Sequence, residues 1–234
     1  MNTPDARSRW AGAWPDALAF ALGLGLAWWR AWATTDLVWS LWLSSLVVGY
    51  AMIVWRVSEP LRDAVVGIAA DRSDAAGPGA KAVVLALYSV GTLFGLAFFT
   101  VHFGGFHFVH SVFLNAFFPV GGGQSRGFAM LPVYAEVARH YWWFLPVAFL
   151  AERQGFRPKP ATPDTAVTAA AIAMRHAQGD RMMEPYKNVV RMHLLIFFFA
   201  FAHFARLENF AVYAVVYAVY FFPWRLLRPA AARS

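Results

Sequence analysis

Apolar residues run in stretches approaching or reaching the length of a membrane span, broken by short polar connections, along almost the whole chain. A helix needs roughly 20 such residues to cross a hydrocarbon core of about 30 Å. Residues 16–33, 37–55, 82–101, 189–205 and 210–224 are each predicted to do so. Two further segments are ambiguous: residues 105–120 are apolar but short, and residues 131–150 carry Glu136, Arg139 and His140 in their first half. One helix over residues 82–120 would extend about 58 Å at roughly 1.5 Å per residue, nearly twice the core thickness. A break at Gly104-Gly105 is therefore expected. The predicted fold class is all-α: a polytopic transmembrane helix bundle of about six spans plus one interfacial or re-entrant helix, making a single integral membrane domain over residues 1–234.

Composition strengthens this picture. The chain is 59% hydrophobic, 18% aromatic and only 14% charged, with a mean hydropathy of +0.47, outside the range of ordinary soluble domains. Polar residues 1–9 precede an apolar stretch that ends in Trp28, Trp29 and Arg30 without a small-residue cleavage site, which predicts a retained span rather than a cleaved signal peptide.

Charge then orients the bundle, because Lys and Arg near span ends concentrate on the cytoplasmic side. With both termini inside, residues 105–120 crossing and residues 131–150 in the inner interface, every Lys and Arg except Arg30 and Arg206 falls inside. Letting residues 131–150 cross, with residues 105–120 re-entrant, fits almost as well. Seven spans would strand Arg153, Arg157, Lys159, Arg175, Arg181, Lys187 and Arg191 outside. Trp10 and Trp14 mark one interface, Trp28, Trp29, Trp32, Trp39 and Trp42 the other, and Trp55 returns to the first. The expected location is the cell inner membrane, with cytoplasmic loops at residues 56–81 and 152–188.

The first of these loops reads as solvated, with Asp71-Arg72-Ser73-Asp74 and Gly77-Pro78-Gly79. In the second, Thr162-Pro163-Asp164 has a capping residue, a proline and an acid in helix-start order, so a helix is expected over residues 163–178. The net charge of +7 does not point to nucleic acid, since the basic residues sit at span ends rather than in a patch with stacking aromatics. Anionic lipid head groups suffice as partners. The absence of cysteine excludes disulfides, thiolate ligands and a cysteine nucleophile.

Candidate chemistry centres on histidine. His102, His107, His110, His193 and His203 lie in or beside apolar segments, where an imidazole is costly and marks a ligand site, a proton path or an interhelical hydrogen bond. On a helix, His107 and His110 share a face, with Asn115 a turn and a half further on. Imidazoles so spaced can hold a transition metal ion such as Zn, Cu or Fe in an all-nitrogen site, given a further donor from another helix. His193 and His203 are the available donors, and the choice depends on how many times the chain crosses. Gly91 and Gly95 form a small-xxx-small pattern that permits close helix approach, and Gly23, Gly25 and Gly49 are read the same way.

Trp42-Leu-Ser-Ser-Leu-Val-Val-Gly49, His102-Phe-Gly-Gly-Phe with His110, and Pro185-Tyr-Lys-Asn-Val-Val-Arg-Met-His193 resemble pieces of a bacterial integral-membrane family of unknown function. That resemblance implies His102, His110 and His193 as the polar signature, and these three are the expected metal ligands. It implies no reaction, and the family pattern has acidic and amide residues where Ser44 and Ser45 stand here. Gly123-Gln-Ser125-Arg-Gly127 matches the G-x-S-x-G pattern. Together with the His102 to His107 spacing and a late-span histidine, it bears a fainter likeness to rhomboid intramembrane proteases, which implies a dyad of Ser125 with His193 or His203. The chain lacks the helix-embedded Gly-x-Ser-Gly of that family.

The leading expectation is an integral membrane protein whose histidine-lined intramembrane site binds a transition metal or a small polar ligand. A non-catalytic scaffold or subunit, docking to a membrane-protein partner or to a second copy of the chain, is the first alternative. A rhomboid-like serine hydrolase is the second.

Overall fold

The computed structural model describes residues 6–70, 77–120, 130–156, 190, 194, 197, 198, 201, 202, 204, 205 and 210–221. They form helices joined by short turns: α1 (Ala6–Trp29), α2 (Thr34–Val57), α3 (Glu59–Ala70), α4 (Pro78–Phe117), α5 (Leu131–Tyr141), a 3-10 turn (Trp142–Phe144), α6 (Leu145–Glu152), a second 3-10 turn (Arg153–Phe156) and α7 (Phe210–Phe221). The expected helix at residues 163–178, most of the span at residues 189–205, and Ser125, His193 and His203 lie outside the described residues. Two stretches, Thr34–Ala70 and Pro78–Phe117, are long and apolar enough to cross a membrane.

Local chemistry sets the helix ends. At the end of α1 the Trp32 N–H donates to Ala27 O and the Ala31 N–H to Trp28 O, at 2.9 and 3.0 Å. This 6→1 and 5→2 pair closes a helix when the residue after the cap turns left-handed, and Ala31 does so with φ 50°. The first turn of α2 carries Asp36, whose Oδ2 accepts the Ala33 N–H at 2.9 Å and satisfies a donor the helix cannot. At the other end of α2, Arg62 donates to Ser58 Oγ at 2.6 Å and lies over the Trp55 ring at 3.9 Å. Arg56 and Glu59 pair at 3.6 Å. These contacts join α2 directly to α3, so the segment expected to be a solvated loop after Ser58 is helical as far as Ala70.

A second departure concerns Gly104-Gly105, where α4 continues unbroken for 40 residues. Each glycine costs a helix only about 1 kcal/mol. Opening the backbone there would leave polar groups unpaired among apolar side chains, at several kcal/mol each. Residues 131–150 are split instead. Pro146 has no N–H to give the carbonyl four residues back, and Leu145 N bonds Trp142 O in a tighter 3-10 turn. Neither α5 nor α6 is long enough to span.

The chain divides into two compact units. The first comprises Met1–Ser44, Ser111–Gln154 and Val190–Ser234. Here α1 packs against α6 and α7. A side chain on Gly23 would collide with the Tyr217 hydroxyl, and Phe20 stacks on the Tyr217 ring at 5.4 Å. Arg153, beyond α6, pairs with Asp16 of α1. The second unit comprises Ser45–His110 and Gly155–Val189. Its core joins Ile53 and Val57 of α2 to Phe103 of α4. A Cβ on Gly49 would stand 2.7 Å from the Phe103 ring, so only glycine admits this approach. Gly95 meets Val57 in the same way, whereas Gly25 and Gly91 face open space.

Candidate functional site

On α4, Phe103, His107, His110, Ser111, Leu114 and Asn115 are buried, a helical stripe with the imidazoles inside it. Its other faces carry exposed Leu87, Leu93, Phe94, Val101, Val109 and Phe113. His107 is only 1% exposed. One of its nitrogens, Nδ1, lies 3.0 Å from Phe103 O, and the other, Nε2, lies 3.2 Å from Ser45 Oγ. Both nitrogens are thus engaged within the second unit, the arrangement that makes a buried imidazole affordable. The His107 and His110 rings stand 6.3 Å apart, on one face as their spacing predicts.

His102 lies elsewhere. It is exposed, stacked on Phe98 at 5.5 Å and edge-on to Phe106 at 5.0 Å. An unbroken helix separates it from His110 by about 12 Å of rise, far more than one ion can bridge. Among the described residues no group of three or more His, Asp or Glu is placed to hold a metal ion. His193, the third expected ligand, lies outside them.

The first unit holds a different polar constellation. Where the α1–α2 turn meets the end of α5, a pocket of about 470 Å³ is lined by Trp29, Arg30, Trp32, Asp36, His140 and Tyr141. Trp32, 6% exposed, forms its floor by packing on Tyr141, Trp143 and Phe144, with ring centroids 5.5–5.8 Å away. The Tyr141 hydroxyl donates to Asp36 Oδ1 at 2.8 Å. Burial, and then the neighbouring Asp36 carboxylate, push the Tyr141 phenol well above its usual range, so it is a neutral donor at physiological pH. With Oδ2 bound to the Ala33 N–H, Asp36 is fixed from both sides.

Arg30 lies over the Trp143 ring at 5.2 Å and forms no ion pair among the described residues. His140 Nδ1 faces Glu136 O at 2.9 Å and Glu136 Oε1 at 3.2 Å. With Nδ1 donating there, Nε2 accepts when the ring is neutral and donates when it is protonated. Glu136 also takes Arg139 Nη2 at 2.7 Å, and that bond holds its carboxyl below the usual carboxylate range. The pocket therefore offers a fixed carboxylate, a cation, an imidazole and aromatic walls. These are the elements that orient a small polar ligand.

The profile of a family of unknown function, DUF6498, matches residues 2–221. The chain belongs to this family. No curated protein and no solved structure matches it. DUF6498 membership carries no reaction with it, so the functional argument rests on the pocket itself. Its residues gave only partial signals in the sequence. Arg30 stood out as one of two cations on the outer side of the favoured topology, and Trp29 and Trp32 as interface markers. Nothing local linked Asp36 to Tyr141, 105 positions later.

Proposed function

We propose that the protein is a multi-pass membrane protein that binds a small polar ligand in the histidine-bearing pocket of its first unit. The membrane part is supported by α4, whose apolar window is almost wholly unburied and needs a nonpolar surrounding. The ligand part rests on one observation: Asp36, Arg30 and His140 converge with Trp29, Trp32 and Tyr141 on a pocket of about 470 Å³, a volume typical of small-molecule sites. Inner-membrane location belongs to the same reading, whereas a six-span count needs residues 105–120 or 131–150 to cross, and an unbroken α4 with short α5 and α6 supports neither. A transition metal held through the α4 imidazoles is the competing reading, favoured by the close approach of buried His107 and His110.

Titrating detergent-purified protein with small ammonium, carboxylate and phosphate compounds, followed by tryptophan fluorescence, tests the choice. At least one compound gives a saturable response that Arg30→Gln abolishes. No response to any compound, together with stoichiometric metal that disappears in His110→Ala, would move the function to α4.

A further inference from the structure

We infer that the ligand of this pocket is a zwitterion with an ammonium group and a phosphate, the headgroup of an aminophospholipid such as phosphatidylethanolamine. The inference rests on the pocket being a ligand site, and it adds the identity of what binds.

A pocket that took only anions would have no use for Asp36, and one that took only cations would be weakened by Arg30. Both charges line one cavity, and neither neutralises the other, because no ion pair joins them among the described residues. Each oxygen of Asp36 accepts one protein hydrogen bond. A carboxylate accepts about four in all, so capacity remains for ammonium protons. The exposed Trp29 ring, lining the same pocket, adds an aromatic face of the kind that attracts cations. At the other pole, Arg30 supplies a donor fork suited to phosphate oxygens, and the His140 imidazole lines the same pocket.

The surroundings favour a lipid as the source. The pocket lies at the α1–α2 turn, where the last α1 residues, Trp28 and Trp29, are 71% and 75% exposed. Tryptophan so displayed is characteristic of the headgroup level of a bilayer, where aminophospholipid is abundant and a free solute must compete with it.

The full chain is reconstituted into phosphatidylglycerol nanodiscs with and without phosphatidylethanolamine, and its thermal midpoint is recorded. In parallel, O-phosphoethanolamine, inorganic phosphate and ethanolamine are titrated in detergent against tryptophan fluorescence. Phosphatidylethanolamine is expected to raise the midpoint, and O-phosphoethanolamine to bind more tightly than either half alone. Asp36→Asn and Arg30→Gln should each weaken that binding at least about tenfold, or about 1.4 kcal/mol. Trp29→Ala, at an exposed position that the fold does not need, should weaken binding while leaving the ligand-free midpoint unchanged.

Saturable O-phosphoethanolamine binding with no effect of the lipid would overturn the headgroup source in favour of a free zwitterion. If inorganic phosphate bound as tightly as O-phosphoethanolamine and Asp36→Asn changed nothing, the zwitterion would be overturned while the small-ligand reading stood. Failure of every compound to bind would overturn both.

Discussion

Ala31 holds a left-handed backbone, φ 50°, that costs an L-residue with a β-carbon roughly 1–2 kcal/mol. Glycine adopts it freely and is the usual occupant of this position after a helix. The strain sits between Arg30 and Trp32, both lining the pocket, and backbone strain tends to persist where a fixed geometry serves a site. Ala31→Gly is therefore expected to raise the stability of the purified protein by about 1 kcal/mol, read as a higher melting temperature in detergent. A lower melting temperature would show that the methyl group contributes packing the backbone geometry does not reveal.

At this scale the sequence was informative wherever one residue type has one dominant use. Gly23 and Gly49 read as close-approach positions and are so. The three-residue spacing of His107 and His110 placed both on one face, and both are buried. The Asp36–Tyr141 bond was not legible. It depends on how α5 docks beside the start of α2, which no local pattern specifies.

Among the elements, α5 carries its polar residues as a linked set: Glu136 bonds Arg139 and lies beside His140, spaced three and four residues apart on one face. In the sequence these charges only made residues 131–150 a doubtful span. In the fold they flank the pocket and hold the imidazole. Because the Glu136 carboxyl titrates below its unfolded value, its pairing stabilises the folded state above the ordinary carboxylate range. That contribution is lost as pH falls through the lowered value. The melting temperature should decline from about pH 5 downward, and Arg139→Ala should flatten the decline. An unchanged acid limb in Arg139→Ala would show that the pair does not couple to folding.

The elements also show which rule prevailed. The break expected at Gly104-Gly105 came from comparing helix length with bilayer thickness, yet the hydrogen-bond ladder of α4 runs straight through. Pro146, which cannot donate to such a ladder, stands in the first turn of α6, just after the tighter turn that follows α5. Glycine merely weakens a helix, whereas proline removes a donor, and in apolar surroundings the missing donor decides.

For the molecule as a whole, an unbroken α4 of 40 residues spans about 60 Å, roughly twice a hydrocarbon core of about 30 Å. Tilts of transmembrane helices reach about 40° at most, which leaves a projection of about 46 Å, so on the proposed membrane reading one end of α4 emerges from the hydrocarbon. Its stretch up to Val101 carries exposed Leu87, Leu93, Phe94 and Val101 and no charge after Lys81, and is the part suited to lipid. The second half buries His107, His110, Ser111 and Asn115, groups that hydrocarbon disfavours. The chain has no cysteine, so single cysteines introduced along the exposed positions of α4 act as unique reporters in intact membranes. Leu87→Cys, Phe94→Cys and Val101→Cys are expected to resist a membrane-impermeant maleimide. Further along, Val109→Cys and Phe113→Cys should react, giving one shielded run of roughly 20 residues. A hairpin broken at Gly104-Gly105 would instead give two shielded runs with a reactive gap between them. Uniform reactivity along α4 would mean that it does not cross a bilayer at all, and the membrane reading would fall with it.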